Sequence, residues 1–251
     1  MINNPVYIKE KVNRQFDYKP DVQSKKLIKI MNEFLQGGCI MDHVKNAYKV
    51  QGATIVKNLQ KRNMEGFYCE TKEEALEKVM SLISQDSVVS WGGTSTIEEI
   101  GVKDTLRHKN IKVIDRDTAK SPEERIQLMK KALTADVFLT STNAITLEGE
   151  LVNIDGAGNR LAAYCYGPES VIVVAGMNKV AGDVDSAMKR IRTDACVPNT
   201  LRFNLSTPCA KTGICAECTT PETICSQILV TRYSKPKNRI KVILVGEQLG
   251  F

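Results

Sequence analysis

"SVVSWGGTSTIEEIGVKDTLRHKNIKVIDRD", residues 87–117, contains the alternation that decides the fold. The run 87–91 is short and apolar, as expected of a buried strand, and 95–109 has the spacing of an amphipathic helix. A second apolar run follows at 111–117. A strand, a helix and a strand at this spacing predict a βαβ crossover, which places the two strands parallel in one sheet.

The same alternation extends in both directions from this unit. On the N-terminal side, a strand at 66–70 precedes a helix that Thr71 and Glu74 open as a capping-box pair. On the C-terminal side, Ser121, Pro122 and Glu124 open a further helix. A strand at 170–176 and a helix at 183–193 continue the pattern. The sequence therefore predicts an α/β fold with a mostly parallel sheet.

Two pairs of apolar runs interrupt the alternation. The runs 136–145 and 149–155 are separated only by a turn, so we expect them to form a hairpin appended to the sheet. The runs 226–233 and 239–245 flank the basic turn "SKPKN", and we expect them to form a terminal β-ribbon.

The N-terminal quarter of the chain has a helical pattern only. "SKKLIKIMNEFL" (24–35) and "MDHVKNAYKVQGATIVKNLQKRN" (41–63) carry apolar residues at three- and four-residue steps, and two glycines separate the runs. We therefore divide the 251 residues into an N-terminal helical arm, 1–64, and an α/β domain, 65–251.

Composition and charge narrow the class of partner. The formal net charge of +6 favours small anionic ligands, but the basic residues form no arginine-rich stripe, so we expect no nucleic-acid partner. The start of the chain has no signal-like apolar segment, and the longest apolar run, 170–177, is too short to span a bilayer. We expect a cytoplasmic protein that does not enter a membrane.

A glycine and hydroxyl loop follows the strand 87–91. Two glycines allow a close backbone approach to a ligand, and three hydroxyls follow at the predicted start of a helix, where free N–H groups favour an anion. The alternative is a tight turn in which Thr96 caps the helix. The candidate substrate-binding residues here are Gly92, Gly93, Thr94, Ser95 and Thr96.

A second polar loop, residues 141–160, lies at predicted strand ends, where open α/β sheets bind ligands. Glu148 or Asp155 could act as base or nucleophile, and Arg160 could clamp a carboxylate or phosphate. The alternative is hairpin turn chemistry. The candidate catalytic residues are Glu148, Asp155 and Arg160, and the candidate binding residues are Asn143, Asn153 and Asn159.

A cysteine-rich segment, "PCAKTGICAECTTPETIC" (208–225), holds half of the eight cysteines in the spacing C-x5-C-x2-C-x6-C. In a reducing compartment such a cluster indicates metal binding in preference to disulfides. A structural zinc site usually has two pairs of closely spaced cysteines, whereas only Cys215 and Cys218 form such a pair here. This spacing favours a 4Fe–4S iron–sulfur cluster over zinc, and a redox thiol pair is a third possibility. The predicted ligands are Cys209, Cys215, Cys218 and Cys225; the nearby Cys196 has no assigned role.

Four stretches together resemble the LUD-domain family of lactate-utilization proteins. These are "GGTSTIEEIG" (92–101), "ADVFLTSTNAITLEGELVNIDGAGNR" (135–160), "YGPESVIVVAGMNK" (166–179) and "RIKVILVGEQLGF" (239–251). The resemblance implies a doubly wound sheet of the sugar-phosphate isomerase and coenzyme A transferase kind. It also implies association with L-lactate oxidation in an iron–sulfur oxidase system with partner proteins.

Both polar loops match loops of this family, through Gly92, Gly93, Thr94, Asn153, Asp155, Gly156, Asn159 and Arg160, whereas the cysteine segment marks a separate branch. We expect an iron–sulfur protein of organic-acid metabolism that binds a small anionic metabolite beside the cluster. The alternatives are a metal-independent transferase or isomerase-like enzyme with structural zinc, and a non-catalytic subunit of an oxidase complex. Oxidoreductase partner subunits or a homo-oligomer are possible partners.

Overall fold

The computed structural model describes residues 24–26 and 38–251. A helical segment at 24–26 is followed, after a gap, by helix α1 (Gly38–Lys61). Most of the predicted helical run 24–35 lies outside the described residues. The compact unit that carries the site spans Ala47–Phe251 and begins within α1. No helix of the described part of the chain is long and apolar enough to cross a membrane.

The centre of this unit is a parallel sheet of six strands in the order β1-β10-β7-β4-β2-β3. The strands are β1 (Glu65–Cys69), β2 (Val88–Trp91), β3 (Lys112–Ile114), β4 (Val137–Thr140), β7 (Ser170–Gly176) and β10 (Ile240–Val245). The predicted mostly parallel sheet is confirmed. Since β10 and β7 are apolar on both faces, both faces must be covered.

Helices cover the two faces, as in a doubly wound fold. Ala75 and Val79 of α2 and Leu106 of α4 pack on one face. Ile55 and Leu59 of α1 pack on the other face with a second, smaller sheet. The helices are α2 (Lys72–Ser81), α3 (Ser95–Glu99), α4 (Val102–His108), α5 (Pro122–Lys131), α6 (Asn159–Cys165), α7 (Val184–Arg190), α8 (Cys196–Arg202) and α9 (Pro208–Thr212).

The second sheet has four strands in the order β8-β5-β6-β9. They are β5 (Ala144–Thr146), β6 (Leu151–Asp155), β8 (Val180–Ala181) and β9 (Gln227–Thr231). The hairpin consists of β5 and β6 alone, because the predicted run 136–145 divides at 141–143 into β4 of the large sheet and β5 of the small one.

The predicted terminal β-ribbon is wrong. The strand β9 pairs antiparallel with β6, and β10 enters the large sheet between β1 and β7. The two strands separate because β10 is apolar on both faces, whereas Gln227 and Ile228 at the start of β9 are exposed. A strand with no exposed face gains more free energy in the middle of a sheet than in a ribbon.

The strand order places a ligand crevice between β2 and β4. From β2 the chain continues to β3 at one edge of the sheet, whereas β4 leads through the small sheet to β7 in the opposite direction. The loops that follow β2 and β4 therefore diverge above their carboxyl ends. Open α/β sheets bind ligands at such a point.

Candidate functional site

A cavity of about 360 Å³ opens at this divergence, within the size range of small-ligand sites. Its walls come from the loops after β2, β3, β4, β6 and β7 and from residues that follow β10. The charged side chains in its lining are Arg116, Arg125, Arg160, Lys179, Arg202 and one carboxylate, Asp155. We call it the cationic cavity.

The glycine and hydroxyl loop forms one wall. Gly93, Thr94, Ser95 and Thr96 line the cavity, whereas Gly92 lies behind it. A Cβ atom on Gly92 would stand 3.1 Å from Cδ of Arg160, and one on Gly93 would overlap the guanidinium of Arg116. The two glycines therefore allow two arginines to pack against the turn, which is a more specific role than flexibility.

Thr96 does not cap the helix that follows this loop. The N-cap of α3 is Thr94, which makes no side-chain capping bond, and Thr96 is completely buried inside the first turn. The hydroxyl of Thr96 accepts a hydrogen bond from Nζ of Lys179 at 2.9 Å. The alternative in which Thr96 caps the helix is therefore wrong.

Arg160 joins the two halves of the polar loop. One terminal nitrogen donates to the carbonyl oxygen of Ser141 at 3.0 Å and to Oδ1 of Asn153 at 2.7 Å. The other donates to Oδ1 of Asn143 at 2.8 Å and to the carbonyl oxygen of Ile154 at 2.7 Å. Only 11% of the side chain is exposed. Since its terminal donors are occupied within the protein, Arg160 holds the wall in place.

The two asparagines lock the same loops through their amide oxygens. Oδ1 of Asn153 also accepts from the backbone nitrogen of Asn143 at 3.1 Å, and Oδ1 of Asn143 accepts from that of Ile154 at 3.0 Å. Asn143 reaches the cavity, whereas Asn153 is completely buried behind it. Asn159, at the start of α6, also lines the cavity.

The two predicted carboxylates lie in different places. Asp155 lines the cationic cavity, with Oδ2 at 3.6 Å from Nε of Arg160 and with no hydrogen-bond donor within reach of that oxygen. Glu148 is exposed in the turn between β5 and β6 and lines a separate cavity with Arg62 and Arg232. The structure therefore brings Asp155 and Arg160 together and leaves Glu148 outside.

Lys179 is a site residue that the sequence analysis missed. It ends the short 3-10 helix Met177–Lys179 after β7, and only 3% of its surface is exposed. Its Nζ donates to Thr96 and, at 2.9 Å, to the hydroxyl of Ser141. Burial lowers the pKa of Lys179 to about 7, and the nearby Arg190 and Arg160 act in the same direction. The available sign in the sequence was that this lysine closely follows β7, the most apolar strand.

Two thiols of the cysteine-rich region are in contact. Sγ of Cys225 lies 3.5 Å from Sγ of Cys196, which begins α8. The hydrogen bond between them raises the pKa of Cys196 and lowers that of Cys225. The charges of Cys215 and Cys209 add to the rise at Cys196, so these four thiols share one region of the fold.

The cysteines are not arranged around a metal ion as they stand. Across residues 24–26 and 38–251, no three thiols, imidazoles or carboxylates lie close enough together to hold one. Cys209 is buried against the hydroxyls of Thr207 and Thr200, at 3.3 and 3.8 Å, while Cys215 and Cys218 are partly exposed. Cysteine thiolates are suitable ligands for an iron–sulfur cluster or for zinc, but these cysteines would have to move closer together to hold either one.

The cysteine-rich region adjoins the cationic cavity. Ile224, next to Cys225, lines the cavity, and a Cβ atom on Gly156 would stand 3.3 Å from Cα of Ile224. Asn199 and Arg202 of α8, the helix that begins at Cys196, line it as well. A change at these thiols would therefore reach the cavity through directly packed backbone.

Comparison with known proteins identifies one family. A sequence model of the LUD domain matches residues 53–245. No curated protein matches the chain at a significant level. Among solved structures, a DUF162 family protein from Deinococcus radiodurans is 13% identical with a TM-score of 0.46, and the match covers 79% of this chain and 98% of that one.

Two further structures have lower TM-scores. Ribose 5-phosphate isomerase A from Methanocaldococcus jannaschii is 14% identical with a TM-score of 0.30, and 53% of this chain matches 62% of that one. The eIF2B delta protein from Chaetomium thermophilum is 17% identical with a TM-score of 0.27, and 70% of this chain matches 62% of that one.

Proposed function

Because this chain belongs to the LUD domain family, we propose that it binds a small organic anion in the cationic cavity and acts in organic-acid metabolism of the lactate type. The observation that carries the proposal is the charge of the lining, in which four arginines outnumber the one side-chain carboxylate of the described residues there, Asp155. A low-dielectric cavity with such a lining attracts a carboxylate or phosphate.

Arg116 is the cation best placed to meet the anion. In the described part of the chain, its buried Nε has no hydrogen-bond acceptor, and one terminal nitrogen donates to the sulfur of Met129 at 3.6 Å. Asp117, 3.8 Å from Nε of Arg116, is shared with Lys103 at 3.1 Å and Arg125 at 3.3 Å. The carboxylate of Asp117 is therefore shared among three cationic side chains. A two-oxygen anion would complete the bonding of the Arg116 guanidinium.

Asp155 is the acid–base candidate for this site. Among the residues that the structure describes, it is the one side-chain carboxylate in the lining, and none of them donates a hydrogen bond to its Oδ2. A carboxylate held beside a bound anion can take a proton from it once the anion is positioned by the arginines. Arg160 and the two asparagines then act as positioning residues, since they fix the loop on which Asp155 lies.

Binding of L-lactate, pyruvate and inorganic phosphate, measured by isothermal titration calorimetry, tests the anion site. We expect Arg116→Gln to weaken binding of the preferred anion by about 10- to 100-fold, the value of a charge-assisted hydrogen-bond pair. The matched control is Arg232→Gln, which removes an exposed arginine outside the cationic cavity and should leave the affinity unchanged. Equal affinity in both variants, or no binding of any of the three anions, would refute the proposal.

We further propose that Cys209, Cys215, Cys218 and Cys225 hold a 4Fe–4S cluster, with zinc as the alternative. The proposal is supported by the soft thiolate donors and by the position of four thiols, including Cys196, in one region. Bound, the cluster would supply electron transfer, and the chain would contribute the thiols that hold it. We assign it no step in the cavity.

Metal analysis of anaerobically purified protein tests the cluster. Iron, sulfide and visible absorption that bleaches on reduction are expected in the wild type and in Cys165→Ser, which removes an exposed cysteine outside the segment. Loss of all three is expected in Cys218→Ser. Stoichiometric zinc would instead favour a structural metal in a transferase or isomerase-like enzyme. Partner subunits of an oxidoreductase and self-association remain proposals that co-purification and light scattering would test.

A further inference from the structure

We infer that Lys179 is an amine nucleophile and that the anion bound in the cationic cavity carries a ketone or aldehyde, which Lys179 captures as an imine. The inference deepens the proposed function, on which it rests. It names the substrate class, a small carbonyl compound with a carboxylate or phosphate group, and the atom that reacts, Nζ of Lys179.

The hydrogen bonds of Lys179 match a neutral amine. A charged ammonium group has three hydrogens to donate, whereas a neutral amine has two and keeps one lone pair. Nζ lies 2.9 Å from the hydroxyl of Thr96 and 2.9 Å from that of Ser141, and within residues 24–26 and 38–251 it makes no ion pair with a carboxylate. Two acceptors satisfy both hydrogens of the neutral form and leave the lone pair free.

The surroundings also favour the neutral form. The charged groups that act on Lys179 are the cations Arg190 and Arg160, both unfavourable to a third positive charge, and the single acid Glu99. Glu99 is engaged in accepting a hydrogen bond from the backbone nitrogen of Gly250 at 2.9 Å. Burial adds the larger effect and lowers the pKa of Lys179 to about 7, which favours the neutral amine relative to an exposed lysine.

Gly250 leaves space beside the amine. It lines the cavity with φ of 58°, and a Cβ atom there would stand 3.3 Å from Nζ of Lys179 and 2.7 Å from the hydroxyl of Thr96. A residue with a side chain at position 250 would therefore crowd Nζ of Lys179. Lys179 and Gly250 both line the cavity, and the glycine keeps a side chain away from the amine.

The reaction balances without a redox partner. The lone pair of Nζ attacks the carbonyl carbon of the substrate and forms a carbinolamine. Loss of its hydroxyl group with one proton from nitrogen releases water and leaves a carbon–nitrogen double bond. The arginines of the cavity hold the anionic end of the substrate during both steps. Water is the only product released.

Chemical trapping on the full-length wild-type protein tests the inference. The protein is incubated with pyruvate or dihydroxyacetone phosphate, reduced with sodium borohydride, digested and mapped by mass spectrometry. Pyruvate carries a carboxylate and dihydroxyacetone phosphate carries a phosphate, so the two compounds show which anionic group the cavity binds. We expect a reduced adduct on Lys179 with at least one of them, and none with L-lactate, which has neither a ketone nor an aldehyde.

Lys241 is the internal control for nonspecific modification. Burial lowers its pKa too, and its Nζ donates to the hydroxyl of Ser170 at 3.0 Å, but it lies outside the cationic cavity. Adducts at Lys241 equal to those at Lys179 would overturn the inference. Lys179→Met should abolish the adduct, and because the site is mapped on the wild type, the test does not depend on that variant folding.

Calorimetric binding of the same compounds separates the two proposals. Binding of pyruvate or dihydroxyacetone phosphate with no adduct at Lys179 overturns the inference and leaves the anion site intact. Absence of binding by these compounds and by L-lactate and phosphate overturns both. Binding together with an adduct confined to Lys179 supports both.

Discussion

Arg160 donates a 2.7 Å hydrogen bond to Oδ1 of Asn153, a side chain with no exposed surface. The bond connects α6 to the strand β6 that precedes it, and the same guanidinium reaches the end of β4. One arginine therefore links the end of a strand of the large sheet to a strand of the small sheet at the wall of the cavity.

Arg160→Lys should destabilise the fold, because a lysine cannot reproduce the planar set of donors and leaves buried acceptors unpaired. We expect the free energy of unfolding in urea to fall by about 2–4 kcal/mol. Arg202→Lys is the matched control, since the exposed Arg202 bonds to Asn199 on its own helix and stacks over the neighbouring Phe203, and its effect should stay below about 0.5 kcal/mol. Similar losses in both variants would contradict the role given to Arg160.

Gly93→Ala should weaken anion binding by displacing Arg116, whose guanidinium occupies the space that the new methyl group needs. We expect a loss of affinity of about tenfold or more for the preferred anion, measured by calorimetry. Gly182→Ala is the control because its Cβ would meet only Ser186, at 3.9 Å. Unchanged affinity in Gly93→Ala would show that Arg116 does not contact the ligand.

Lys179→Met should change how stability depends on pH. The pKa of Lys179 is lowered from 10.5 to about 7, so the unfolded state binds more protons than the folded state between these values, and the wild type gains stability as pH rises through this window. The stability of the Met variant relative to the wild type should therefore be greatest below pH 7 and should fall by about 2–4 kcal/mol toward pH 10.

Urea denaturation across this pH range measures the effect, with the exposed Lys211→Met as control. The loss of the contacts with the two hydroxyls lowers the free energy of unfolding of Lys179→Met by the same amount at every pH. It therefore does not change the slope of stability against pH. A difference from the wild type that stays flat between pH 7 and 10 would contradict the buried neutral amine.

Asp155→Asn should tighten anion binding while it slows any proton transfer. It removes the one side-chain carboxylate that the described residues contribute to a lining with four arginines, and a favourable change of about three- to tenfold in affinity is expected from such a charge in a partly buried site. Glu148→Gln, an equivalent charge change outside the cavity, should leave the affinity unchanged. Weaker binding in Asp155→Asn would show that this carboxylate helps hold the ligand.

Local features of the fold could be predicted from the sequence. The hydroxyls of Thr71 and Ser121 accept from the backbone nitrogens of Glu74 and Glu124, at 3.3 and 3.2 Å, because a cap depends only on neighbours a few residues away. The partner of a strand is not encoded in this way. The separation of β9 from β10 follows from long-range pairing with β6 and β7, so the predicted ribbon failed.

The candidate site was predictable where polar residues cluster in sequence and not elsewhere. Asn143, Asp155 and Arg160 lie within one loop, and the structure places all three in the lining. Lys179 and Arg116 come from other strand ends and reach the cavity only through the strand order. The position of Lys179 after the most apolar strand is a weak sign of burial, since lysines are seldom buried without a partner.

The position of β10 between β1 and β7 determines when the protein can fold during synthesis. Glu65 of β1 pairs with Lys241 of β10, and β10 in turn separates β1 from β7. While the ribosome is still adding the residues before β10, the nascent chain presents two unpaired parallel edges, at β1 and β7, for which its own missing strand is the proper partner. We expect growing chains of this protein to need a chaperone until residue 245 has emerged.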